Sequence, residues 1–124
     1  MKIQEVALLY FGTPYVWAGN DIGTGLDCSG FVCEVLRSVG IIGNRDYSAQ
    51  SLYKCLMGIT DVTFYGAEIY FFGKDVENIT HVAIELGNGL MIEAGGEGRV
   101  ASDKGYVRIR PLANRGDLVA RVML

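Results

Sequence analysis

The chain is 124 residues long, half of them apolar, with a formal net charge of −3. That length predicts one domain over residues 1–124, able to bury roughly two-thirds of the surface its unfolded form exposes without a disulfide scaffold. The charges are scattered rather than blocked, so no basic face invites nucleic acid or an anionic membrane, and no stretch reaches the roughly 18 apolar residues of a membrane span.

The N-terminus, Met1-Lys2-Ile3-Gln4-Glu5, carries an acid early, has a very short apolar run and shows no small-residue cleavage site. It does not read as a secretory signal, and the expected location of the newly made chain is the cytoplasm. A first helix is expected near residues 2–11. Asn20 to Leu26 then reads as a loop of glycines and turn formers. Beyond it, Phe31, Val32, Val35, Leu36 and Val39 recur at helical spacing with Gly40 as the stop, which predicts a helix over 28–39 with Asp27 as its N-cap. A third helix is expected near 48–57. Strands follow near 68–73, 80–86, 90–95, 106–111 and 118–123. Asn88-Gly89 is a strong two-residue hairpin signal joining the second and third of these strands. Helices first and antiparallel strands after them is an α+β order, with N-terminal helices packed on a sheet of about five strands. The polar turn at 75–78 and the weakly patterned stretch 96–105 are candidate rims of a cleft. Arg115-Gly116-Asp117 reads as a turn before the last strand, and Cys33 and Cys55 as buried small hydrophobes.

Cys28 stands in the first turn of its helix, where unpaired backbone N–H groups and the helix dipole favour a thiolate over a thiol. The chain's single histidine, His81, opens a strand in which Val82, Ile84 and Leu86 alternate with His81, Ala83 and Glu85. Folding back at Asn88-Gly89 brings Glu93 to the same end of the hairpin as His81. A nucleophile, a base and a group that orients the base are the parts that acyl transfer by a cysteine needs. With one histidine and cysteines at 28, 33 and 55, no grouping has zinc-ligand spacing, so neither metal nor other cofactor is expected. Each residue also has a plainer reading. Asp27 serves as a cap, Tyr15 and Trp17 as packing aromatics, and Glu93 as a solvated strand residue.

Gly12-Thr13-Pro14-Tyr15-Val16-Trp17-Ala18-Gly19, then Leu26-Asp27-Cys28-Ser29-Gly30-Phe31, and later His81-Val82-Ala83-Ile84 with Gly87-Asn88-Gly89, resemble the NlpC/P60 family of cysteine peptidases. The likeness extends through Tyr47-Ser48-Ala49-Gln50-Ser51, Ala67-Glu68-Ile69-Tyr70-Phe71-Phe72 and Val119-Ala120-Arg121-Val122. It implies a papain-like fold, Cys28 as nucleophile, His81 as general base and Glu93 at the third position. That position usually holds His and sometimes Asn or Gln in the family, so the carboxylate is a departure that bears on the pH profile. Glu68, with Ala67 before it, is a second departure, at a position where the family has Gly-Asp. The resemblance further implies that Tyr15 lies near the oxyanion and that Asp27 and Ser29 hold the amino end of a substrate peptide.

The implied function is a peptidoglycan endopeptidase that cuts the stem peptide between D-γ-glutamyl and the diamino acid. Its partners would be that substrate and a phage tail or other delivery protein. Two alternatives stand beside it. One is an amidase or acyltransferase acting on another amide or thioester; the other is a non-catalytic tail-assembly or wall-binding module.

Overall fold

In a computed structural model of the protein, the described residues are 2–15, 20, 21, 25–59, 66–95 and 105–124, with Tyr15, Asn20, Asp21, Gly25 and Leu26 described in their backbone alone. Trp17 and most of the 96–105 stretch lie outside them. The helices are α1 (Ile3–Leu8), α2 (Cys28–Ser38) and α3 (Ala49–Met57). Three two-residue strands, β1 (Pro14–Tyr15), β2 (Asn20–Asp21) and β3 (Gly25–Leu26), precede five long ones: β4 (Glu68–Gly73), β5 (Ile79–Gly87), β6 (Leu90–Gly95), β7 (Gly105–Pro111) and β8 (Leu118–Met123). The α+β architecture and the five long antiparallel strands are as expected. The three short strands were not anticipated, and α1 ends at Leu8, where Leu9, Tyr10 and Phe11 turn back to carbonyls three residues earlier.

The sheet order is β2-β3-β1-β7-β6-β5-β4-β8. The five long strands pair antiparallel throughout, and the only parallel contact among the described strands joins β1 to β3 at Tyr15 and Leu26. Sequence alternation decides what each face carries. Ile69 and Phe71 of β4, Val82 and Ile84 of β5, Ile92 and Ala94 of β6 face the helices and meet Phe31, Val32, Leu36 and Leu52. Each such buried large side chain contributes about 2 kcal/mol. The opposite face carries a smaller cluster of Tyr70, Phe72, Ala83 and Met91, flanked by Leu112 and Leu118.

Two local devices fix where β5 begins. The first is a register shift between Phe72 and Gly73, where the chain passes so close to the far side of the turn that a Cβ at Gly73 would run into the Asn78 carbonyl. The second is Gln50 of α3. Its Nε2 donates to the Val76 carbonyl at 2.9 Å and its Oε1 accepts from the Ile79 N–H at 2.8 Å, so one side chain closes both ends of the turn ahead of His81. Between β5 and β6, Asn88 and Gly89 adopt positive φ of 55° and 74°, the mirror-image turn that Asn-Gly favours.

Candidate active site

Cys28 opens α2 because Asp27 caps it. Oδ1 of Asp27 accepts from the Gly30 N–H at 2.6 Å and from the Ser29 hydroxyl at 3.3 Å. Ser29 is buried, and its hydroxyl is engaged by the cap. The Asp27 carboxyl is raised from its ordinary value, chiefly by burial, against the bonds from Gly30 and Ser29. The Cys28 sulfur reaches the start of β5, where it makes a long hydrogen bond of 4.0 Å to the Thr80 carbonyl. Val82 presents its N–H to the same sulfur. The thiol therefore lies against the main chain on both sides of His81, rather than on the imidazole.

The expectation that a helix start leaves a thiolate there is corrected by this environment. Burial pushes the Cys28 thiol up to about 11, and the Asp27 charge pushes the same way. The N–H groups of Val82 and Ser29, and Arg115 at longer range, lower it by less. This environment favours the thiol over the thiolate.

His81 and Glu93 sit on the sheet face turned away from the helices. The pairing of Ile84 with Ile92 puts Ala83 opposite Glu93, so His81 lies diagonally across from the carboxylate on the same face. Their side chains bond, Nε2 to Oε1, at 2.7 Å. Glu93 is only 1% exposed, and Arg108 donates to its Oε2 at 3.1 Å, with Arg110 at 3.5 Å. Burial alone would raise the Glu93 carboxyl. The bond to His81, the charge of His81 and the Arg108 guanidinium outweigh it and bring the group down to about 2. An ionised carboxylate can only accept, so Nε2 carries a hydrogen, and in the neutral tautomer that this bond selects the lone pair is on Nδ1. The reading of Glu93 as a solvated strand residue is thereby set aside.

Phe72 packs beside His81, with ring centres 5.6 Å apart. Over Phe72 lies the Arg115 guanidinium, 4.8 Å from the ring centre and bonded to Asp117 at 2.9 and 2.8 Å. The Arg115-Gly116-Asp117 turn thus borders the base. Tyr15 is held through its backbone, paired with Leu26 and Gly105, and its side chain lies outside the described residues. Among the described residues, no three His, Cys, Asp or Glu side chains gather as a metal ion would need.

Sequence reasoning missed Gln50, Arg108, Arg110 and Arg115 as members of this neighbourhood. The signal for the two strand arginines was Glu93 itself, a carboxylate inside the apolar run Leu90-Met91-Ile92-Glu93-Ala94, which requires cationic partners when buried.

Residues 12–115 match the sequence model of the NlpC/P60 family. The chain is 36% identical over 110 residues to the bifunctional muramidase/DL-endopeptidase CwlT of Bacillus subtilis, covering 86% of this chain and 33% of that protein. It is 34% identical over 88 residues to a gamma-D-glutamyl-L-lysine dipeptidyl-peptidase of Bacillus cereus, covering 69% of this chain and 26% of that protein. The chain thus spans about a third or less of the length of these relatives. Among solved structures, the NlpC/p60 domain of the peptidoglycan hydrolase SagA superposes with a TM-score of 0.70 at 29% identity, over 98% of this chain and 96% of that one. Motif order, sheet topology and these matches agree, and the chain belongs to the NlpC/P60 family.

Proposed function

We propose that the chain is a cysteine endopeptidase acting on peptidoglycan stem peptides, at the bond between D-γ-glutamyl and the diamino acid. The observation that carries this reading is the buried His81–Glu93 pair beside the backbone against which the Cys28 sulfur rests. The names of the two curated relatives, a DL-endopeptidase and a γ-D-glutamyl-L-lysine dipeptidyl-peptidase, support the choice of bond.

The proposed reaction begins with a thiol. The Cys28 sulfur turns from the Thr80 carbonyl towards His81, and Nδ1 takes its proton as the sulfur attacks the amide carbon. Glu93 holds the imidazole in the required tautomer and stabilises the imidazolium. The Cys28 N–H and the Tyr15 hydroxyl are assigned to the oxyanion. His81 returns its proton to the leaving amine, and water then releases the acyl group. Asp27 and Ser29 are assigned to the amino end of the substrate. Both cap bonds fall on Oδ1 of Asp27, so its Oδ2 is the oxygen proposed to meet an ammonium group. The partner proposed with the wall substrate is a phage tail or other delivery protein, which immunodetection on purified virions would decide.

Mass spectrometry of defined muropeptides, incubated with wild type and with Cys28→Ala, tests the reaction. A new fragment is expected with wild type alone, its mass identifying the bond. Equal cleavage by both proteins would rule out the role of Cys28. A second reading, a wall-binding module without chemistry, is favoured by one observation, the hydrogen bond of the Cys28 sulfur to the Thr80 carbonyl in place of His81. Cosedimentation with wall sacculi in the absence of any cleavage would select it. Rapid acylation of Cys28 by a small electrophile without muropeptide cleavage would select an amidase or acyltransferase.

A further inference from the structure

Glu93 is almost inaccessible to solvent, yet more positive than negative charge surrounds it. Its Oε1 is taken by His81 at 2.7 Å, while Oε2 accepts from Arg108 at 3.1 Å with Arg110 at 3.5 Å. Strand register builds this arrangement: Glu93 stands directly opposite Arg108, and Arg110 follows two residues on, on the same face. Gly95 makes room for it. A Cβ there would stand 3.3 Å from both the Arg108 Nη2 and the Glu93 Oε2.

Taking His81 and Glu93 as base and orienter, we propose that Arg108, backed by Arg110, is a positioning residue for that pair. It holds the carboxylate by one oxygen and offsets its charge, so that Glu93 orients His81 without locking it in the protonated form. A carboxylate facing an imidazole alone can turn, because either oxygen accepts, and its full charge favours the imidazolium. Arg108 acts against both. Its bond to Oε2 fixes the carboxylate plane and keeps Oε1 on Nε2. Its charge opposes a second positive charge on the ring. This matters for a base that meets a thiol, since an imidazolium formed in advance has no lone pair to receive the proton. The family's usual histidine or amide at this position carries no fixed negative charge. Here the carboxylate and its arginines stand together in that place. The other charged groups near the pair are Arg115, which feels Glu93 and Cys28, Asp117, which feels His81, and the Cys28 thiol with Asp27 behind it.

The chain's single histidine makes the test direct, because its Cε1 proton gives one NMR titration curve. In Arg108→Gln the midpoint of that curve is expected to rise by about one pH unit, with Arg108→Lys remaining closer to wild type. Arg110→Gln should shift it the same way by less, in keeping with its longer contact. The acid limb of kcat/KM on a muropeptide should move with the midpoint. An unmoved midpoint in Arg108→Gln, or equal midpoints in the Gln and Lys variants, with all proteins folded by circular dichroism, overturns the proposal. Should Arg108→Gln fail to fold, Arg108→Lys and Arg110→Gln carry the test: a Lys midpoint between those of wild type and Arg110→Gln, or just above it, supports the proposal, and an unmoved midpoint in both overturns it. A wild-type protein that cleaves no muropeptide removes the hydrolase reading, while the titration still decides the part of Arg108.

Discussion

His81 and Glu93 are held on the sheet by bonds from two neighbouring strands, whereas Cys28 stands at a helix start with its sulfur against main-chain groups, the Thr80 carbonyl at a long 4.0 Å among them. The carboxyl is driven down to about 2 and the thiol up to about 11, so the two environments push their groups in opposite directions. The base is thus prepared before any substrate arrives, and the nucleophile is not. A neutral thiol costs the apolar helix–sheet junction little, while a buried carboxylate persists only with its cationic partners. Activation in such a site belongs to the moment of attack, when the proton leaves sulfur for imidazole.

The largest break in this contrast should come from Glu93→Ala. It leaves Arg108 and Arg110 without their buried counter-charge and His81 without its acceptor, at a cost of about 3 kcal/mol in stability and at least about a hundredfold in kcat/KM. Denaturant melts and muropeptide kinetics would measure the two effects. Wild type should lose the same support in acid. The folded carboxyl lies below its ordinary 4.5, so its stabilisation is complete above that pH and is lost as the pH falls towards about 2. Acid melts of wild type that show no such loss would contradict the buried ion pair.

Gly73→Ala should have an intermediate effect. The added methyl meets the Asn78 carbonyl, displaces the start of β5 and costs about 2 kcal/mol, with kcat falling more than KM rises because His81 moves with its strand. A variant as stable and as active as wild type would show that the turn has more room than its geometry indicates. The smallest effect sharpens the nucleophile half. Asp27→Asn keeps the helix cap but removes a charge that raises the thiol, so the pH midpoint of Cys28 alkylation should fall by less than about one unit with stability nearly unchanged. In wild type that midpoint is expected above 9. A midpoint near 7 would mean that a thiolate forms in the free protein.

The parts legible in the sequence were those written in short-range patterns. Asp27 before a helix-periodic run, the alternation after His81 and the Asn-Gly pair are local signals, and they located α2, β5, β6 and the end of the hairpin that His81 and Glu93 share, but not the register shift between Glu85 and Gly87 that puts the two on one face. The strands β1 to β3 were not legible because their partners lie far along the chain, as Pro14 beside Tyr106 shows. Nothing in the pattern of residues 106–111 alone singles out Arg108 and Arg110. Their link to Glu93 depends on register across β6 and β7, which no alternation within one strand encodes. The thiol was misjudged for a related reason. A helix start is visible in sequence, but the desolvation that outweighs it comes from packing against β5.

The turn at Asn88 and Gly89 also works as a ruler. Glu93 lies twelve positions after His81, and the two-residue loop together with the register shift between Glu85 and Gly87 sets on which side of the sheet the second strand presents it. Were β6 to slip by a single residue, Glu93 would be delivered among the helices and Ile92 or Ala94 to the histidine. Length changes that other surface loops absorb would here exchange a charge for a methyl group at the chemical centre, making the shortest connection between long strands the least free to vary.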